Sequence, residues 1–191
     1  MAIALLRSLD IKDKNKMDEI IDVLDEKNGE KTGQTISKDE AHQKGIWHGA
    51  IHILIVTKDK TKTLLQKRCE EKKLYPNTWD VSVGGHISSG EDALTSAKRE
   101  LEEELGLNPN DYDFELVEIV KEKLNNNGIT SNEFIHTFVI YSDIELSDIK
   151  VQKEEVSDVI WLSKEELMNL IEDNKLVPHV KAYQILSDIL K

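Results

Sequence analysis

Between Gly84 and Leu107 the chain reads Gly-Gly-His-Ile-Ser-Ser-Gly-Glu-Asp-Ala-Leu-Thr-Ser-Ala-Lys-Arg-Glu-Leu-Glu-Glu-Glu-Leu-Gly-Leu, and the chemistry lies in the spacing of its carboxylates. Wound as a helix, Glu100, Glu103 and Glu104 fall within about 100° of one another. Leu94, Leu101 and Leu105 form a neighbouring apolar stripe, with Ala97 between the two sets, while Glu102 points away. The pattern predicts a helix that buries the leucines and presents three carboxylates side by side. Like charges at this spacing repel, and in the last turns the helix dipole opposes them as well. A cation resolves that conflict, and hard oxygen ligands in this number suit Mg²⁺, with Mn²⁺ as the alternative. Arg99 adds one fixed positive charge. Gly84 and Gly85 ahead of the helix permit positive φ or close approach of a backbone carbonyl. The competing reading is a solvated acidic helix face.

The elements that must hold this segment are legible in outline. Asp18 to Leu24 reads as a strand entering an Asn28-Gly29 turn. Ile46–Val56 and Thr63–Arg68 read as a hairpin, and Trp79–Val83 as a short strand running into the glycines. A helix covers roughly 92–105 and stops at Gly106. Strands follow near 114–120, at 133–141 beyond a turn at 125–128, and at 156–162. Ser163 and Glu166 form a capping box that opens a helix, and Pro178 is placed as the first residue of a last helix. Strands mixed with helices give an α/β class. Residues 1–16 read as an N-terminal extension and 17–191 as one domain with C-terminal helices.

Composition narrows the function. The 191 residues carry 25 basic and 37 acidic side chains, a net charge of −12. That balance disfavours a nucleic-acid backbone or an anionic membrane as partner. The chain has one cysteine, Cys69, so no internal disulfide forms within it, which suits a reducing cytoplasm; we read Cys69 as a packing residue. No run approaches a membrane span, and the apolar start is too short for a signal-peptide core.

Gly85, Glu91, Arg99, Glu100, Leu101, Glu103, Glu104, Gly106 and Leu107 occupy every fixed position of the Nudix box. A chance full match anywhere in the chain is roughly one in ten million. The sequence therefore resembles the Nudix hydrolases. The resemblance implies an α/β/α sandwich around a mixed β-sheet and cleavage of a P–O–P bridge by water. It implies metal binding by Glu103, Glu104 and the Gly85 carbonyl, with Glu100 ligating metal or assisting water. Arg99 would orient these carboxylates, through Glu91. A further base often precedes a late strand, which makes Glu155 and its neighbour Glu154 candidates, against ordinary surface charge.

The flank before the box, from Thr32 to Gln34, through His42–His52 and Leu65–Arg68 to Tyr75–Asp80, resembles type I isopentenyl-diphosphate isomerase. That enzyme's cysteine falls at Gly84, so one partner of its proton transfer is missing. His42, His48, His86 and Glu133 match four of its five metal ligands, and Ser131 stands at the fifth. We expect these four to pack or hydrogen-bond at the pocket rim, with a second metal or diphosphate site as the alternative. His52 is expected to pack, His136 to pack or to line the pocket, and His179 to be solvated. Arg68, beside Lys67, is a candidate for substrate phosphates. Trp47 and Trp79 offer stacking or packing, with packing expected for Trp79. The reading is a Mg²⁺-dependent hydrolase of a small-molecule diphosphate, either a nucleoside diphosphate conjugate or a prenyl diphosphate. An isomerase and a non-catalytic metabolite-binding module are the alternatives, and a homodimer is left open.

Overall fold

The computed structural model describes residues 19–191. The expected 1–16 extension lies outside the described residues. In chain order the strands are β1 (Ile20–Leu24), β2 (Lys31–Ser37), β3 (Trp47–Val56), β4 (Lys62–Arg68), β5 (Trp79–Asp80), β6 (Val83–His86), β7 (Glu115–Asn126), β8 (Ile129–Tyr141) and β9 (Val156–Ser163). The helices are α1 (Lys38–Lys44), α2 (Ala93–Leu105), α3 (Lys164–Glu172) and α4 (Val180–Ile189).

Among the described residues, seven strands form the main sheet, ordered β5-β4-β3-β8-β7, with β6 paired to β3 and β9 to β4. Strand β3 lies parallel to β8 and antiparallel to β6 and β4, so the sheet is mixed. All ten residues of β3 are buried, as a central strand covered on both faces requires. Ile51, Ile53 and Ile55 pack with Leu101 and Leu105 of α2 on one face. Leu54 and Val56 pack with Leu167 of α3 and Leu186 of α4 on the other. The expected α/β/α sandwich is the observed architecture.

Several local expectations shift. The strands around residue 127 are longer than their sequence pattern suggested, because Asn127 and Gly128 both adopt positive φ and close a two-residue hairpin. The stretch from Trp79 breaks after Asp80 and resumes at Val83. Strand β2 and helix α1 carry no strong periodic signal. Ser37 caps α1 and Gly45 ends it. The β1–β2 ribbon braces the box loop through Asp22, whose carboxylate accepts from Ser89 Oγ at 2.8 Å. The Ser163–Glu166 capping box is present. Pro178 precedes α4 rather than opening it, since His179 occupies the cap position.

Candidate active site

Helix α2 starts at Asp92, which accepts from the Thr95 amide at 2.7 Å, and ends at Gly106 in the left-handed conformation. Its buried stripe is Ala97, Leu101 and Leu105; Leu94 is 42% exposed and does not belong to it. The sheet lies one position further round than the leucines alone implied, so the carboxylates are not presented evenly. Glu100 and Glu104 are buried and only Glu103 is exposed.

Arg99 gathers this group. Its guanidinium meets Glu100 at 2.7 Å, Glu103 at 3.2 Å and Glu91 at 3.3 Å, and donates to the His86 carbonyl at 3.2 Å. The expected contact with Glu91 is present, and the same guanidinium also meets Glu100 and Glu103. Glu104 accepts from Gln66 Nε2 at 3.0 Å and from the Gly84 amide at 3.4 Å. Burial pushes the Glu104 carboxyl up to about 8, aided by Glu100. Burial likewise pushes Glu100 up to about 7, against the pull of Arg99.

Neither Gly84 nor Gly85 has positive φ. What Gly85 supplies is proximity: a Cβ there would fall 2.3 Å from Glu100 Cδ. A Cβ at Gly84 would meet only ordinary contacts, the nearest being His52 at 3.6 Å.

A cavity of about 750 Å³ opens beside this group. Gly84, Gly85, Glu154 and Glu155 line it, whereas Glu100, Glu103 and Glu104 do not; Glu100 lies against Gly85 and Glu104 against the Gly84 amide. Glu155 precedes β9 and pairs with Lys72, a partner that sequence spacing did not reveal. Arg68 lines the cavity as expected, but it is already committed to Asp80 at 2.9 Å and to the Leu74 carbonyl at 3.1 Å. Trp47 packs on Phe134, and Trp79 lies against the α3–α4 core; neither lines the cavity.

The histidines are brought together more tightly than rim packing would require. Ligand atoms of His42, His48, His86 and Glu133 lie within 4.8 Å of one another. His48 Nδ1 contacts the Ile46 carbonyl at 2.8 Å, which turns Nε2 inward, and that buried atom has no hydrogen-bond partner among the described residues. Glu133 lies 3.5 Å from both His48 and His86 and accepts from Ser131. Burial holds His42 down to about 3, helped by His86 and His48. Burial opposes the Glu133 charge too, yet the neighbouring His48 and His86 rings hold that carboxyl well below the usual range.

His52 is buried as expected, and His136 sits in the sheet away from the cavity lining with its Nδ1 unpartnered among the described residues. The expected solvated His179 is instead buried, held by Glu122 at 2.5 Å and Asp80 at 3.4 Å. Its partners lie 57 and 99 residues away in sequence, so local pattern had no access to them. Asp80, Gln66 and Lys72 were missed for the same reason, although a charge inside the apolar run Trp79–Val83 is a signal in retrospect.

The NUDIX domain family matches residues 47–183. The Nudix hydrolase 3 of Arabidopsis thaliana is 40% identical over 168 residues, which is 85% of this chain but only 22% of that longer protein. An uncharacterised Nudix hydrolase of Listeria monocytogenes is 32% identical over 166 residues, 87% of this chain and 92% of that one. An isopentenyl-diphosphate Delta-isomerase of Rhodobacter capsulatus is also related, at 31% identity over 78% of this chain and 84% of that one. The solved structure of DR0079 from Deinococcus radiodurans shares the fold, with a TM-score of 0.68 at 20% identity over 91% of this chain and all of that one. The motif, the sandwich and the relatives agree that this chain belongs to the Nudix hydrolase family.

Proposed function

We propose that the protein is a divalent-metal-dependent hydrolase of the diphosphate bridge in a small molecule, with Mg²⁺ as the working ion. The observation that carries this reading is the buried pair Glu100 and Glu104 on one helix face, Glu100 held by Arg99 and Glu104 by Gln66 and the Gly84 amide. Burial raises their carboxyls to about 7 and about 8. That donor set, with Glu103 and the carbonyl of Gly85, fits a hard divalent ion. Such an ion polarises phosphate oxygens and lowers the pKa of bound water. Arg99 keeps the carboxylates pointed to one place. Glu155, on the cavity wall, is the base candidate that takes a proton from the attacking water. Arg68 meets a substrate phosphate with a guanidinium that its bonds to Asp80 and Leu74 have pre-aimed.

His42, His48, His86 and Glu133 form the second cation site of this reading. The buried Nε2 of His48, without a hydrogen-bond partner among the described residues, supports it, as does the charged Glu133 beside it. An isomerase would need an acid at Gly84, where there is none. No helix among the described residues is long and apolar enough to cross a membrane, and we place the reaction in the cytoplasm. The test is product release from a panel of isopentenyl, geranyl, ADP-ribose, thiamine and dinucleotide diphosphates with Mg²⁺. Turnover that Glu103→Gln abolishes supports the reading. Release that is unchanged in the variant, or isomerised product without release, overturns it.

A further inference from the structure

Behind Arg68 and Asp80 the line of charges continues through two groups that the proposed reaction does not yet use, His179 and Glu122. Glu122 of β7 meets His179 Nδ1 at 2.5 Å, and His179 Nε2 lies 3.4 Å from Asp80 Oδ1. Asp80 Oδ2 accepts from Arg68 Nη1 at 2.9 Å. Signs alternate along the line, and Arg68, Asp80 and His179 all border the cavity. Asp80 and His179 are buried, so these charges exist only because each has a partner.

We propose that His179 is a positioning residue for diphosphate binding. It shares Asp80 with Arg68, which leaves Arg68 aimed and net positive toward the cavity. This inference rests on the reading that Arg68 meets a phosphate. The physical reason is charge balance. Were Asp80 the partner of Arg68 alone, the pair would be neutral and offer a phosphate little. With the imidazolium on its other oxygen, Asp80 is compensated from both sides and still orients the guanidinium. Glu122 brings the four charges to zero in sum but does not border the cavity, so the positive end of the line, Arg68, is what faces a phosphate. Glu122 sits on the far side of His179 and keeps that imidazole protonated. The groups that face His179 are Asp80, Glu122, Arg68, the His52 ring at 4.3 Å, the Tyr183 phenol from its own helix and, further off, Glu133. Burial opposes the His179 charge, but Asp80 and Glu122 outweigh it and hold its pKa above the ordinary value. The buried Tyr183 hydroxyl has no hydrogen-bond partner among the described residues.

The test is calorimetric titration of the whole protein with magnesium pyrophosphate from pH 6 to 9, for wild type, His179→Gln, Glu122→Gln and Arg68→Ala. The expected result is that His179→Gln weakens binding about tenfold at pH 6. Wild-type affinity falls as pH rises through the titration of His179, and Glu122→Gln moves that fall to lower pH. For a diphosphate that is turned over, KM rises in His179→Gln while kcat stays within about twofold. Equal binding and an equal pH profile in His179→Gln, with Arg68→Ala weakened, overturn the inference and spare the Arg68 reading. Unchanged binding in Arg68→Ala overturns the reading beneath it. Glu122→Gln keeps the test decisive if His179→Gln does not fold.

Discussion

Two clusters beside one cavity solve the problem of charge differently. In the box group Arg99 meets Glu100 and Glu103 of α2, Glu104 is held by Gln66 and Gly84, and burial raises the Glu100 and Glu104 carboxyls to about 7 and about 8. The histidine group sets three imidazoles around Glu133, whose carboxyl is held well below the usual range. Protons compete with an ion for Glu100 and Glu104 in the first cluster, whereas Glu133 in the second is already charged. The difference teaches that a site assembled from adjacent residues on one helix carries its repulsion with it. A site assembled from α1, β3, β6 and β8 can mix its donors.

The largest effect expected is on catalysis. Glu103→Gln and Glu100→Gln should each lower hydrolysis by at least ~100-fold, while His86→Asn costs ~10-fold or less. Steady-state kinetics on the hydrolysed diphosphate would check this, and a reversed order would break the division of roles drawn between the clusters.

Next comes the glycine pair. Gly85→Ala drives a methyl into the Glu100 carboxylate and should cost about 1–3 kcal/mol with loss of activity. Gly84→Ala should stay within about 1 kcal/mol, because its neighbours lie at ordinary contact distance. Chemical denaturation of the two variants measures the contrast.

Metal preference sharpens the comparison further. Co²⁺ should give a visible absorption band that His86→Asn removes and Glu103→Gln leaves in place. Mg²⁺ should raise the Tm more at pH 8 than at pH 6, since protons compete with it for Glu100 and Glu104. An equal rise at both pH values would contradict the protonated box.

The smallest effect is on the metal-free fold. Glu104 binds its proton in the folded chain up to about 8 but releases it near 4.5 when unfolded. The folded state therefore holds more protons between those values, and stability falls as pH rises across that window. Glu133 works in the opposite sense. Its depressed pKa contributes stability above 4.5 that is lost as pH falls through the folded value. Glu104→Gln should flatten the fall between pH 5 and 8, as urea titrations at several pH values would show.

How much of this could be read without coordinates depended on distance along the chain. The box residues lie within 23 positions of one another. Their common helix face, the Asp92 cap and the Gly106 stop follow from helical periodicity alone. The strand that precedes the box and the mixed α/β class were legible for the same reason. Leu94 failed because periodicity defines an apolar stripe but not where the sheet meets it.

The amino-acid sequence by itself determined the carboxylate helix, which is written in local spacing, and the family, whose box motif implied the sandwich and the reaction class. Only the tertiary structure decided that His42, His48, His86 and Glu133 converge. The same is true of the burial that raises the Glu100 and Glu104 carboxyls, and of the buried link from His179 through Asp80 to Arg68. Convergence requires strands that pair across many tens of residues. Protonation depends on how much water the packed sheet removes from a carboxylate, a quantity that exists only once the chain has folded.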